Sequence, residues 1–496
     1  MRTRRRRLLL VGNGMAGARF LEELLTRGGT ESFEVEVFGE EPTGGYNRVL
    51  LSHILEGAMS PWQIITHPPR WYREHGMAFH CGVRVDAIAR ADQAVHGSDG
   101  RWYPYDVLVL ATGSRPHVPP LKGLVDRSGK WRNGVFTFRT LGDCRRILRR
   151  ADRCRRAVVV GGGLLGLEAA WGLACRGLEV HLVHIQGHLM EQQLDPQAGQ
   201  LVAHYLEARG ICVHLRKVAL ALLWKGNQLQ GVSMEGGETL PADLVVIATG
   251  VRPETRLAAS SGLAVNRGIV VDDKLRSVTD EKVYAIGDCI EHRGKSYGLV
   301  APAWEQARVL AEHVIDPSSN VFYRGSVVGA KLKVAGLEVV SVGRSTEEPK
   351  DQVILYTEPA RGIYRKLLVR DGRLAGAILI GEAPTCGIIF QYFERGLPVP
   401  QDPTALLFDW ASGGDDLSLG SLSKESLLCQ CNGVTRARVM ECVLRGARSW
   451  KEVAKETRAG TGCGGCRNAI EALLTTRELG ISCETKSLLA VATNGR

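Results

Sequence analysis

Long apolar runs are missing from this sequence. The longest, LLLVG from Leu8 and VLVLATG from Val107, last a few residues, far short of the roughly 20 that a bilayer-spanning helix needs, so no membrane span is expected. A secretory h-region is missing too. After Arg2 and Arg4 to Arg7 the apolar stretch ends at Val11 in a glycine-rich turn, which reads as a charged lead-in to a first strand. The thirteen cysteines are spread through 496 residues rather than crowded into a small secreted chain, so a reducing cytoplasm is expected and a disulfide framework is not. Aromatic residues are few, 6%, and none interleaves with the basic run Arg145, Arg146, Arg149, Arg150, Arg153, Arg155 and Arg156 of this chain of net charge +10. A nucleic-acid surface would set such charge among aromatic platforms or a reader motif. The run is expected to be a solvated helix face, with no nucleic acid as partner.

What the sequence does hold is repetition. Two segments follow one plan of short apolar run, glycine turn and Ala/Leu-rich helix: LLLVGNGMAGARFLEELL at residues 8–25 and AVVVGGGLLGLEAAWGLACRG at 157–177. Each is followed by a second strand-like run, and each has the strand, GxGxxG, helix, strand order of a dinucleotide fold. A second pair of near-copies, YDVLVLATGSRP at 105–116 and ADLVVIATGVRP at 242–253, reads as buried strands ending in ATG. The chain is expected to leave the first nucleotide domain, build the second, and return. Beyond residue 320 short strands such as KLKVAGLEVVSVG and QVILYT suggest a small antiparallel or α+β domain. ASGGDDLSLGSLSKES, 411–426, has the composition of a flexible linker. After it Thr435 can cap a helix reaching about Arg445, Gly446 can stop it, and Ser449 with Glu452 can open another.

In the first fingerprint Gly12, Gly14 and Gly17 permit a tight turn, close backbone approach to a pyrophosphate and close helix packing, with the helix start at Met15 and Ala16 facing the phosphates. A glycine fingerprint alone is weak evidence, and its context adds weight. Glu40 and Glu41 end the next strand, where a ribose hydroxyl needs an acceptor, and Glu40 is the expected one. In YAIGDCIEH a strand ends at Gly287 and Asp288, a place for a carboxylate to bond a ribityl hydroxyl. These pieces point to FAD, with Ala111, Thr112 and Gly113 closing the neighbouring strand. Gly161, Gly163 and Gly166, with Leu164 and Leu165 opening the helix and Gly250 ending the second ATG strand, suit NADH or NADPH. An acidic residue would bond the free 2′-hydroxyl of NADH, but His184 holds that position. Histidine donates to a hydroxyl or, when protonated, to a phosphate, so NADH is favoured and NADPH stays open. His181, His184 and His188 are set aside as a metal trio because the first two point to opposite strand faces.

Four cysteines near the end form the most specific signal: Cys429-x-Cys431, 31 intervening residues, then Cys463-x-x-Cys466. Four thiolates are the ligand set of a [2Fe–2S] cluster. Gly462, Gly464 and Gly465 let backbone wrap the second pair. A Cys₄ zinc site has compatible spacing, and the redox domains upstream favour iron and sulfur over it. Flavin reductases that relay through a dithiol carry C-x4-C after the first fingerprint. GYNRVLLSHIL has no cysteine, so no dithiol relay is expected.

The segments VGNGMAGARFLEELL, YNRVLLS, VVVGGGLLGLEAA, LMEQQLDP, YAIGDC, YGLVAP, KLKVAG and AGTGCGGC resemble the N-terminal part of the bacterial NAD(P)H nitrite reductase large subunit. They equally resemble the electron-transfer subunit of assimilatory nitrate reductase, over residues 8–474. The resemblance implies an α/β fold with two Rossmann-like domains arranged as in ferredoxin and rubredoxin reductases, a small α+β domain, and a helical [2Fe–2S] domain like bacterioferritin-associated ferredoxin. Where related reductases carry YxRPxLSK near the isoalloxazine, this chain has Arg48, Ser52 and His53. Glu168 matches the glutamate beside the nicotinamide site, so Glu168 and His53 are the expected catalytic residues. Trp304 to Gln306, at the helix start YGLVAPAWEQA, are expected near the flavin pyrimidine. The implied reaction is hydride transfer from NAD(P)H to FAD followed by one-electron steps to the cluster. The C-x5-C and C-x3-C spacing of a sirohaem portion does not occur here, and no room remains for a molybdopterin domain. Electrons are therefore expected to pass to a separate nitrate- or nitrite-reducing catalytic subunit. The expected domains are 1–118 with 249–319 for FAD, 119–248 for NAD(P)H, 320–410 as an interface domain, 411–426 as linker and 427–480 for the cluster.

Overall fold

The computed structural model describes residues 5–382, 385–408, 424, 427–429, 433–461, 466, 467 and 469–475. Apart from Lys424, the expected linker lies outside the described residues, as do Cys431, Cys463 and their neighbouring glycines. The chain packs as two units, Met1–Met190 with Ala203–Val328, and Glu191–Val202 with Gly329–Arg496.

The first unit contains two five-stranded parallel sheets whose four inner and far-edge strands follow one order, while the strand beyond the ATG strand comes last in the chain in one and first in the other. One runs Val283–Ala285, Val107–Leu110, Arg6–Val11, Phe33–Gly39, Ala78–Cys81. The other runs Val135–Thr137, Leu244–Ile247, Arg156–Val160, Glu179–His184, Ile211–Leu215. In each, the strand that enters the glycine turn sits at the centre, with the ATG strand on one side and the next strand in sequence on the other. Leu8, Leu9 and Leu10 are fully buried, as a strand covered on both faces requires, which is why the sequence there is an unbroken apolar run. The helix Met15–Thr26 turns Phe20, Leu21 and Leu24 to the core, the spacing of one helical face. Between the sheets the chain passes out and back as an antiparallel ribbon, Ser114–Pro116 against Val251–Pro253. Both halves of this ribbon follow an ATG strand.

The arginine run opens on a helix, Leu141–Ala151, started by a capping box between Thr140 and Asp143. Ile147 and Cys144 face inward and Arg145 and Arg149 outward. Arg146 pairs with Asp143 at 2.5 Å and Arg156 with Asp243 at 3.3 Å. Among the described residues no helix is long and apolar enough to cross a membrane.

The second unit contains a five-stranded antiparallel sheet in the order Gly329–Val334, Leu337–Gly343, Arg373–Ile380, Ile363–Arg370, Gln352–Glu358. Its apolar face, with Val340, Val342, Leu367 and Leu379, packs against Ile389 and Phe390 of the helix Cys386–Arg395. A buried polar knot ties the segment Glu191–Val202 to this sheet. Asp195 accepts from the Tyr364 hydroxyl at 2.6 Å and from the Lys366 ammonium at 2.8 Å, and caps the following helix through Ala198 N at 2.9 Å. The cysteine segment of this unit folds as two helices. Arg436–Leu444 is capped by the Thr435 side chain and stops before Gly446 at φ +114°. Trp450–Thr457 is capped by Ser449, with Glu452 reaching back to Arg448 N at 2.9 Å.

Candidate nucleotide and cluster sites

The two glycine turns are built alike, atom for atom. Gly12 sits at φ +108° and Gly161 at φ +120°. A Cβ on Gly12 would collide with the Ala111 carbonyl oxygen, and one on Gly161 with that of Ala248. A Cβ on Gly17 or Gly166 would strike the carbonyl of Gly12 or Gly161. The middle glycines differ from these: beside Gly14 and Gly163 nothing lies within 4 Å of a built Cβ. The outer glycines are therefore demanded by the protein's own packing, whereas the middle ones border open space of the kind a pyrophosphate fills. Neither Met15–Thr26 nor Leu164–Ala174 has a side-chain N-cap, so the N–H groups of Met15, Ala16 and Gly17, and of Leu164, Leu165 and Gly166, are left facing that space.

Around the first turn two further side chains fit a bound dinucleotide, and sequence reasoning did not name either. The Tyr72 hydroxyl donates to Asn13 Oδ1 at 2.5 Å, which leaves the buried Asn13 Nδ2 without a partner among the described residues. Tyr72 itself is enclosed, and burial pushes its pKa up to about 12, so it stays a donor. Arg139 is the second. Its guanidinium donates to Asp288 Oδ2 at 2.8 Å and to Ser114 Oγ at 2.5 Å, while Ser114 Oγ donates to the same Asp288 oxygen at 2.8 Å. Arg139 Nε is buried with no partner among the described residues. One signal was present for each: Asn13 is the polar residue between the fingerprint glycines, and Arg139 directly precedes a capping box.

Gly287 and Asp288 form a single turn of 3₁₀ helix beside the first sheet, and Gly287 N donates to Gln306 Oε1 at 2.7 Å. Gln306 and Trp304 lie on the helix Val300–Ile315, and the Arg19 guanidinium stands 5.9 Å over the Trp304 ring. Ala111 N bonds Val11 O at 2.7 Å, Thr112 Oγ1 bonds Glu254 O at 2.8 Å, and Gly113 accepts from Glu254 N at 2.9 Å. Gly250 occupies the equivalent corner of the second sheet, accepting from His117 N at 2.9 Å. Glu40 is exposed at the end of the strand Phe33–Gly39, 3.7 Å from Arg84.

Arg48 pairs with Glu41 at 2.7 Å, and Glu41 also accepts from the Tyr46 hydroxyl at 2.8 Å. Ser52 is buried with its hydroxyl 3.4 Å from Val49 O, and His53 Nδ1 lies 3.2 Å from Glu56. The helix Leu51–Glu56 that carries His53 packs on Leu164–Ala174, which carries Glu168. Gly172 makes room for Leu55 there, since a Cβ would lie 2.8 Å from Leu55 Cγ, and Arg176 caps the shorter helix through Leu55 O at 2.7 Å and Ile54 O at 3.2 Å. His184 is buried at the end of its strand, with Nδ1 accepting from Gly162 N at 3.0 Å.

Of the four expected cluster ligands, Cys429 and Cys466 are described. Both are buried in one small core with Val439, Val453 and Ile470. Two soft sulfur donors enclosed by apolar side chains suit a thiolate-ligated iron–sulfur centre.

Two dinucleotide folds in tandem, joined by a ribbon and followed by a cysteine domain, define a flavin-dependent pyridine nucleotide oxidoreductase. Residues 6–307 match the pyridine nucleotide-disulphide oxidoreductase family, and the chain belongs to it. Residues 329–396 match the rubredoxin NAD⁺ reductase C-terminal domain, and residues 427–476 the BFD-like [2Fe–2S] binding domain. The cofactors of this enzyme are thus FAD, NAD(P)H and a [2Fe–2S] cluster. The chain is 36% identical to a nitrite reductase [NAD(P)H] of Bacillus subtilis over 95% of its own length and 57% of that protein. It is also 36% identical to the assimilatory nitrate reductase electron transfer subunit of the same organism, over 95% of this chain and 60% of the other. It therefore spans somewhat over half the length of these curated relatives. Among solved structures, the ferredoxin reductase for the CYP199A2 system from Rhodopseudomonas palustris is similar at 25% identity and TM-score 0.67, covering 75% of this chain and 91% of that one.

Proposed function

We infer that this chain takes electrons from NAD(P)H and passes them, through FAD and the cluster, to a separate catalytic subunit that reduces nitrate or nitrite. The observation that carries the reading is the order of parts on one chain, two dinucleotide folds and then a [2Fe–2S] domain, aligned over 95% of its length with a nitrate reductase electron transfer subunit. FAD, when bound, supplies the conversion between two-electron and one-electron chemistry. The chain's own residues hold and orient. Gly14 and the helix start at Met15, with Asn13, take the FAD pyrophosphate. Glu40 accepts from the adenosine ribose, and Asp288, set by Arg139 and Ser114, from the ribityl chain. Gly163 and the start at Leu164 take the pyrophosphate of NAD(P)H. Glu168 and His53, carried on two packed helices, stand where nicotinamide and flavin meet, and Cys429, Cys431, Cys463 and Cys466 hold the cluster.

The expected domain limits, 1–118 with 249–319, 119–248, 320–410, 411–426 and 427–480, are retained with this reading. A reducing cytoplasm is its expected setting, in keeping with thirteen cysteines spread through a chain of 496 residues. Cys463→Ser tests the scheme: stopped-flow bleaching of the flavin by NADH should persist, while reduction of the nitrate- or nitrite-reducing partner should fall at least about a hundredfold. Near-normal partner reduction by this variant would remove the cluster from the electron path.

A further inference from the structure

Away from the nucleotide folds, three titratable side chains meet on the antiparallel sheet of the second unit. Lys331 lies on the strand Gly329–Val334 and Glu338 on the adjacent Leu337–Gly343, one diagonal step away on the same face. Lys331 Nζ is 2.6 Å from Glu338 Oε1 and donates to Cys386 Sγ at 3.2 Å. Cys386 is the first residue of the ten-residue helix Cys386–Arg395, and Ile389 and Phe390 anchor that helix in the sheet's core. The helix that carries the sulfur is thus anchored on the sheet that carries the lysine. The lysine side chain is only 13% exposed, whereas Cys386 is partly open to solvent. Burial works against the charge on Lys331, but the charges of Cys386 and Glu338 outweigh it and hold its pKa above the ordinary lysine value.

A fourth side chain completes the arrangement. Thr385, at the N-cap position, is 2% exposed, makes no capping hydrogen bond, and has a hydroxyl with no partner among the described residues. A buried donor without an acceptor is costly, and an oxygen added within its reach would relieve that cost.

We propose that Cys386 is a site of reversible oxidation by hydrogen peroxide, with Lys331 as the counter-ion of its thiolate and the Thr385 hydroxyl as a donor to the oxygen that adds. An ammonium ion that keeps its charge beside sulfur, at the start of a helix, is the setting in which thiolates react with oxidants. A sulfur electron pair attacks one peroxide oxygen. The S–O bond forms as the O–O bond breaks, sulfur losing two electrons and the peroxide gaining them. The released hydroxide takes the proton of the new S–OH group, leaving a sulfenate and water. Two equivalents of a small thiol restore the cysteine, the first taking the sulfenate to a mixed disulfide and hydroxide, the second freeing the Cys386 thiol and a small disulfide. Among the other partly or fully exposed cysteines described, burial raises the pKa of Cys81, and it also raises that of Cys154 and Cys175 despite the nearby Arg150 and Arg176.

The test uses the full chain with its cofactors, a slight excess of hydrogen peroxide, and dimedone as a trap for the sulfenic form. Peptides bearing Cys386 are quantified by mass spectrometry against those bearing the exposed Cys81, Cys175 and Cys212. Cys386 should be labelled at least about tenfold faster than these three; Lys331→Met should bring it down to their rate and Lys331→Arg should preserve most of the difference. Equal rates in the unaltered protein, or an unchanged rate in Lys331→Met, overturn the proposal. A second measurement needs no variant. At about pH 7 iodoacetamide should alkylate Cys386 at least about tenfold faster than the exposed Cys212. Equal rates of alkylation overturn it equally.

Discussion

The main-chain N–H of Gly162 donates to Nδ1 of His184 at 3.0 Å, so the last residue of the strand Glu179–His184 is turned toward the second glycine turn. An imidazole that accepts at Nδ1 carries its proton on Nε2.

Cofactor preference should follow from that geometry. His184→Glu should shift the ratio of kcat/KM toward NADH by at least about fivefold, because a carboxylate accepts from a free 2′-hydroxyl and repels a 2′-phosphate. An unchanged ratio would place residue 184 away from the nucleotide ribose.

Arg139 should matter to FAD although it comes from the segment between the two ATG strands. Removing its charge in Arg139→Gln takes away the hydrogen bonds that set Asp288 and Ser114. Flavin affinity should fall roughly tenfold, with Arg139→Lys intermediate because an ammonium cannot replace the planar fork. Flavin release on dialysis, followed by fluorescence, reads this directly. Retention equal to that of the unaltered protein would assign Arg139 to stability alone.

Gly172 and Leu55 should behave as a pair. Gly172→Ala places a methyl group 2.8 Å from Leu55 Cγ and should lower stability by about 1–3 kcal/mol, while Leu55→Ala in the same chain should recover part of the loss. Additive losses in thermal unfolding would show that the two helices adjust independently.

The knot around Asp195 should be visible in acid. Burial raises the pKa of this carboxyl, and the hydrogen bonds from Lys366 and Tyr364 overcome that and leave it below the ordinary 3.8. A depressed folded-state pKa adds stability that is present above the unfolded value and is lost as pH falls through the folded one. Lys366→Met should therefore cost about 3 kcal/mol near neutral pH, since it leaves a buried carboxylate unpaired, and the deficit should shrink below about pH 4. A deficit independent of pH would point to packing rather than charge.

Much of the candidate site could be read directly. Gly12, Gly14, Gly161 and Gly163 follow from local chain geometry, because a turn between a strand and a helix admits few residues, and the helix capped by Thr435 follows for the same reason. Asn13 was harder to single out. The orientation that leaves its buried amide nitrogen without a partner among the described residues depends on Tyr72, 59 residues away, and no local pattern records that pairing.

The class of fold, the two nucleotide turns and the resemblance that led to the family were legible in the sequence alone, because each is written in residues close together whose spacing has a direct physical meaning. Only the tertiary structure decided that Arg139 reaches Asp288, that His184 turns to Gly162, and that Lys331 meets Cys386. Those contacts join residues 149, 22 and 55 positions apart, and they arise from how sheets and helices stack rather than from any local preference of the chain.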